Sequence, residues 1–119
     1  MQYLLLIFNQ EKDWETATPA QKEKIMQGHA VLEKELRQSG KYKYCGGLAA
    51  ASTATCVRAG AGGKLSVTDG PFAETREQVG GYYVVDAKGL DDAVALAKRI
   101  PLEFPHMAVE IRHVMNTPD

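Results

Sequence analysis

From Gln2 to Phe8 the chain runs apolar without alternation (QYLLLIF), the pattern of a strand covered on both faces. A polar loop follows. Thr18-Pro19 then opens a predicted helix, with Thr18 as N-cap and Pro19 at the first helical position. The helix runs to Ser39, and Gly40 suits its stop. Its apolar stripe is Ile25, His29, Leu32 and Leu36, so a histidine stands inside the face that should meet the core. TATCVR (Thr53 to Arg58) and KLSVT (Lys64 to Thr68) read as short strands joined by AGAGG. GYYVVD is another strand without polar alternation. Gly89 leads into a helix, LDDAVALAKRI, with Asp91 and Asp92 in its first turn and Lys98 and Arg99 in its last, as the helix dipole favours. Pro101 stops it. The last strand, Ala108 to Val114, alternates, with Val109 and Ile111 facing one way and Glu110 and Arg112 the other.

The predicted order is β-α-β-β-β-α-β, each heavily apolar strand being followed by a helix. That suits an α+β, ferredoxin-like sandwich with an added strand, its antiparallel sheet carrying two helices on one face. A single domain spans residues 1–119. Two helices cover one face only, yet Tyr3, Leu5 and Ile7 point opposite to Leu4, Leu6 and Phe8, and both sets are apolar. The pair Tyr82 with Val84, against Tyr83 with Val85, repeats the conflict. An uncovered apolar sheet face is rarely tolerated by a monomer. The expectation is a homodimer packed sheet to sheet about a two-fold axis, because the terminal NTPD is too short and polar to fold back over that face.

A net charge of -1 with 24% charged residues supplies no electrostatic footprint for nucleic acid, so no nucleic-acid partner is expected. The longest apolar run, Tyr3 to Phe8, is too short for a bilayer and lacks the flanks of a signal peptide. Cys45 and Cys56 have neither zinc nor redox spacing. They read as reduced thiols in a cytoplasmic protein, with a structural disulfide as the competing reading. His29, His106 and His113 are scattered, which argues against a metal site, and no nucleophile elbow is present. No cofactor is expected.

About a dozen residues separate KLSVT from GYYVVD, where two would make a hairpin. The segment opens with Asp69-Gly70-Pro71-Phe72: a carboxylate able to accept turn N–H groups, a permissive glycine and a turn-setting proline. FAETREQ has helical propensity, which predicts one short helix in the link. A plain structural turn and the border of a small-molecule cleft are both compatible with this stretch. Tyr82 and Tyr83 each offer a phenol to a pocket or to the core. Arg112 is a candidate anchor for an anionic ligand, or half of a surface ion pair. Trp14 either covers a ligand or packs on the helix start.

The run VTDGPFAETREQVGGYYVVDAKGLDDAVALAKRIP, followed by VEIRHV, resembles the DGPF subgroup of the YCII-related family. The likeness extends to YLLLIF and GGLAAASTATCVR, and so covers nearly the whole chain. Arg76 stands where lysine is common and His113 where proline is common. The resemblance implies a dimeric α/β barrel type of ferredoxin-like fold and a His-Asp pair in a cleft, which falls here on His29 and Asp69. It also implies association of some members with sigma factors of transcription. A carboxylate bonded to imidazole fixes its tautomer and favours its protonated form, whereas burial of His29 works the other way. The expected activity is cofactor-free proton transfer by a lyase, isomerase or oxygenase, with His29 as general acid or base and Asp69 as its orienter. Gly70, Pro71, Phe72, Tyr82 and Arg112 are the expected ligand contacts. A non-catalytic ligand sensor or protein-interaction module is the alternative.

Overall fold

A computed structural model describes residues 1–115. The NTPD tail, 116–119, lies outside the described residues. The elements are β1 (Gln2–Asn9), α1 (Glu11–Thr16), α2 (Pro19–Gln38), β2 (Tyr42–Gly47), β3 (Thr55–Ala59), β4 (Leu65–Asp69), β5 (Gln78–Asp86), α3 (Leu90–Ala97) and β6 (Ala108–His113). Four strands form an antiparallel sheet in the order β2-β5-β1-β6, while β3 and β4 pair only with each other. The frame is ferredoxin-like α+β, as expected. It differs from the predicted order in one strand, because β2 is an additional strand and β3-β4 is a separate ribbon rather than part of the sheet. Lys43, Gly46 and Gly47 are poor strand formers, and β2 is held by pairing with β5 at the sheet edge.

Local chemistry sets the limits of α2. Thr18 Oγ1 accepts the Gln21 N–H at 3.1 Å, and Gln21 Oε1 accepts the Thr18 N–H at 2.8 Å, a capping box with Pro19 just inside. Gly40, at φ +74, ends the helix in a left-handed conformation. Leu32 and Leu36 of α2 are buried in one cluster with Tyr3, Leu5, Ile7, Tyr83 and Val85 of the sheet, and Ile25 of the same helix is buried as well. Ala93, Leu96 and Ala97 bring α3 onto the same face. Asp92 fixes the start of α3, accepting the Lys88 N–H at 3.0 Å and pairing with Lys41 at 3.0 Å.

Two further expectations are corrected. The polar loop after β1 contains the short helix α1. The link after β4 contains no helix. There the Thr75 hydroxyl donates to the Glu77 carbonyl at 2.5 Å and Gln78 Nε2 donates to the Thr75 carbonyl at 2.8 Å, local bonds that compete with a helix too short to stand alone.

The molecule measures 48 × 41 × 19 Å, the small dimension being one sheet and one helical layer. The other sheet face presents Leu4, Leu6, Phe8, Tyr82 and Val84, all partly exposed, with Tyr44 more exposed beside them.

Candidate functional site: a cavity beneath the long helix

Glycine pairing makes room under the first half of α2. Gly47 of β2, Gly81 of β5 and Ile7 of β1 lie in one row on the helix-facing side, so two of three neighbouring strands contribute no side chain there. A Cβ at Gly47 would meet nothing within 4 Å. A cavity of about 600 Å³ occupies this space, within the range of small-molecule sites. Ile25, Met26 and His29 of α2 form its roof, with Trp14, Phe104 and Met107 at the sides. A bulge between Ile7 and Phe8 shapes one end, where Asn9 packs so closely on Gly80 that a Cβ at Gly80 would lie 2.4 Å from Asn9 Oδ1. That oxygen is buried without a hydrogen-bond partner.

His29 Nδ1 lies 2.6 Å from the Tyr83 hydroxyl, and the two rings stack at 19° with centroids 5.8 Å apart. Tyr83 pairs with Leu5 across β1 and β5 and is 3% exposed, so the core holds its phenol in place. Burial lowers the pKa of His29 and pushes the Tyr83 phenol well above the ordinary tyrosine range. At neutral pH the pair is therefore a neutral imidazole and a protonated phenol. If the phenol donates to Nδ1, then Nε2 carries the imidazole proton. If Nδ1–H donates to the phenol oxygen, Nε2 is the free base.

Charge around the cavity is one-sided. Glu11, Glu15 and Glu33 line it, while none of its described lining residues is lysine or arginine. Glu11 Oε1 accepts the Ala51 N–H at 2.5 Å and so ties α1 to the loop after β2. Glu33 pairs with Arg37 at 3.0 Å, and this bond lowers its pKa. The Arg37 guanidinium lies 4.0 Å from the Tyr42 ring centroid. Tyr42 is pushed up to about 12, chiefly by its hydrogen bond to Cys45, whose Sγ accepts at 3.6 Å and which lines the cavity.

Of the residues singled out in the sequence, His29, Tyr82 and Trp14 line this cavity, and Lys22 lies over the Trp14 ring at 5.4 Å. Asp69, Gly70, Pro71, Phe72 and Arg112 do not. Asp69 ends β4 on the exposed ribbon, and within one chain the hydrogen-bond partner of His29 is Tyr83 rather than Asp69. Gly70, at φ +96, donates its N–H to the Ala54 carbonyl at 2.7 Å, while its own carbonyl accepts from the Cys56 thiol at 3.2 Å. Phe72 is exposed, with Arg58 donating to its carbonyl at 2.9 Å and stacking on its ring. Arg112 stands on the open sheet face beside Glu110, at 3.4 Å.

Tyr83 is not among the ligand contacts expected from the sequence. The deciding signal was strand parity: Tyr83 shares a face with Val85, and His29 shares one with Leu32 and Leu36, so both faces meet in the core.

A ferredoxin-like α+β domain with a histidine-lined cavity between its long helix and its sheet is the class that fold and geometry define. No helix among the described residues is long and apolar enough to cross a membrane. The chain belongs to the YCII-related family, whose domain model matches residues 1–117. It is also 32% identical over 98 residues to an uncharacterized protein of Rhizobium meliloti (strain 1021), a match covering 82% of this chain and 78% of that protein.

Proposed function

We propose that this protein binds a small organic molecule in the cavity beneath α2 and moves a proton on it, with His29 as the general acid or base and Tyr83 as the residue that sets its tautomer. One observation carries the reading: a 2.6 Å imidazole–phenol hydrogen bond at the wall of a cavity of about 600 Å³. Burial keeps His29 neutral at physiological pH, which suits proton abstraction, and the largely apolar walls favour an uncharged ligand or one carrying a positive group beside the glutamates. The reaction class is a lyase, isomerase or oxygenase acting through the chain's own side chains. The Asp69-Gly70-Pro71-Phe72 sequence supports membership of the DGPF subgroup. The free thiols of Cys45 and Cys56 support a cytoplasmic setting. The partly exposed apolar sheet face supports a homodimer.

The test is a thermal-shift screen of a metabolite panel on wild type, His29→Ala and Gly47→Leu, followed by incubation of any hit in D2O. A ligand present at a hundredfold its Kd adds about 2.7 kcal/mol of stability, enough for a clear shift. The expected hit stabilises wild type only and acquires deuterium only with His29 present. Binding without deuterium uptake would make the protein a non-catalytic sensor. Equal stabilisation of all three proteins would remove the cavity from the reading.

A further inference from the structure

Strand register divides the β3-β4 ribbon into two unlike faces. Thr55 pairs with Asp69, Val57 with Val67 and Ala59 with Leu65, so these six residues share one face. Cys56, Arg58, Ser66 and Thr68 share the other. That second face is partly covered from within the chain: the Cys56 thiol donates to the Gly70 carbonyl, and Arg58 reaches Thr68 and Phe72. The first face is bare, with Val57 66%, Leu65 72% and Val67 69% exposed. A two-stranded ribbon is marginal in water without something against its apolar side. The radius of gyration, 16.2 Å, exceeds the roughly 13.5 Å of a compact chain of this length, as a projecting element requires.

We infer that the ribbon is an arm covered by a second copy of this chain, its Val57-Val67-Leu65 face lying against the partner and carrying Asp69 into the contact. The inference rests on the homodimer proposed above and adds what the arm does in it. Area selects a second copy as the occupant. The ribbon face and the open sheet face together offer on the order of 700 Å² of apolar surface per protomer, close to the roughly 800 Å² per partner of a standard interface. Neither face reaches that area alone. Charge does not oppose the contact: Asp69 is the single charged residue on the ribbon's apolar face, and Arg112 stands on the open sheet face with Glu110 beside it at 3.4 Å. The DGPF segment, no residue of which lines its own chain's cavity, is thereby brought to the partner.

The experiment measures the dimer dissociation constant by sedimentation for wild type, the Leu65→Glu/Val67→Glu variant, Ser66→Glu as a control on the ribbon's other face, and Leu6→Glu on the open sheet face. Circular dichroism checks each fold. Hydrogen exchange of the 55–69 amides in wild type, above and below the dimer midpoint, gives a readout free of substitutions. The expected result is at least a thirtyfold weaker dimer for Leu65→Glu/Val67→Glu, less than a threefold change for Ser66→Glu, and ribbon amides protected only in the dimer. If Leu6→Glu dissociates the dimer while the ribbon variant and ribbon exchange stay unchanged, the arm is refuted and the dimer stands. A monomeric wild type at 100-fold dilution and at high concentration alike would overturn both.

Discussion

Replacing Tyr83 by Phe removes one oxygen and little else, because the ring is fixed between α2 and β1 at 3% exposure. The lost contact is the 2.6 Å bond to His29 Nδ1. A neutral hydrogen bond contributes about 0.5–1.5 kcal/mol net, and a buried partner left unsatisfied costs about 1–3 kcal/mol. His29 is half-buried and borders a cavity that admits water, so the lower end applies: about 1 kcal/mol. For 119 residues the unfolding entropy near Tm is about 0.25 kcal/mol per degree, which converts the loss to about 4 °C. Differential scanning calorimetry at pH 7.5 is the assay. Tyr82→Phe serves as the control, since among the described residues the Tyr82 hydroxyl makes no side-chain hydrogen bond, and its Tm should move by less than about 1 °C. In a His29→Leu background Tyr83→Phe should have almost no further effect, the pair being directly coupled. A Tyr83→Phe protein as stable as wild type, or one whose loss is undiminished without His29, would refute the assignment of this bond as the feature that orders the site.

Other outcomes follow from the same geometry. Burial depresses the His29 pKa in the folded chain while the unfolded chain keeps the ordinary 6.5, so its contribution to stability is complete above pH 6.5 and is lost as pH falls through the depressed value. The stability of wild type relative to His29→Leu, followed by urea denaturation, should therefore be flat above pH 7 and decline below 6.5; the reverse slope would contradict burial as the cause. Gly28→Ala should destabilise the fold by about 1 kcal/mol despite the roughly 1 kcal/mol that alanine gains in a helix, because its Cβ would lie 2.7 Å from Pro101 Cγ. In a Pro101→Ala background the sign should invert, as thermal melts would show. Gly47→Leu should keep the fold, since open space surrounds that Cβ, and abolish ligand binding measured by calorimetric titration.

What could be read in advance tracks how locally each feature is encoded. The β1 strand and α2 carry their own signatures, an unbroken apolar run and a Thr18-Pro19 start, and the structure forms both within a residue or two. The β2 strand carries none: YKYCGG becomes a strand because β5 offers it hydrogen bonds. The short helix expected in FAETREQ failed for the complementary reason, since favourable propensity without a surface to pack on is outweighed by local side-chain bonds. His29 was visible as a histidine out of place in an apolar stripe. Its partner was not, because Tyr83 is separated from it by 54 positions and meets it only when α2 lies on β5. The glycine pairs at 46–47 and 80–81 announce no cavity by themselves; only the pairing of β2 with β5 sets Gly47 opposite Gly81 and leaves Gly47 on the cavity wall.

The path of the chain between β2 and β5 has one more consequence. Gly47 pairs with Gly81, and the Leu48 N–H donates to the Gly80 carbonyl at 3.0 Å, so the chain leaves the sheet after β2 and returns to the same spot at the start of β5. The ferredoxin-like frame is closed at that point whatever lies beyond it. Doubling the length of such an excursion adds only about 0.6 kcal/mol of closure entropy. The frame therefore works as a socket in which the β3-β4 ribbon can change length at little entropic cost, whereas Leu48, Ala49 and Ala50 at the start of the excursion are walls of the cavity and belong to the frame.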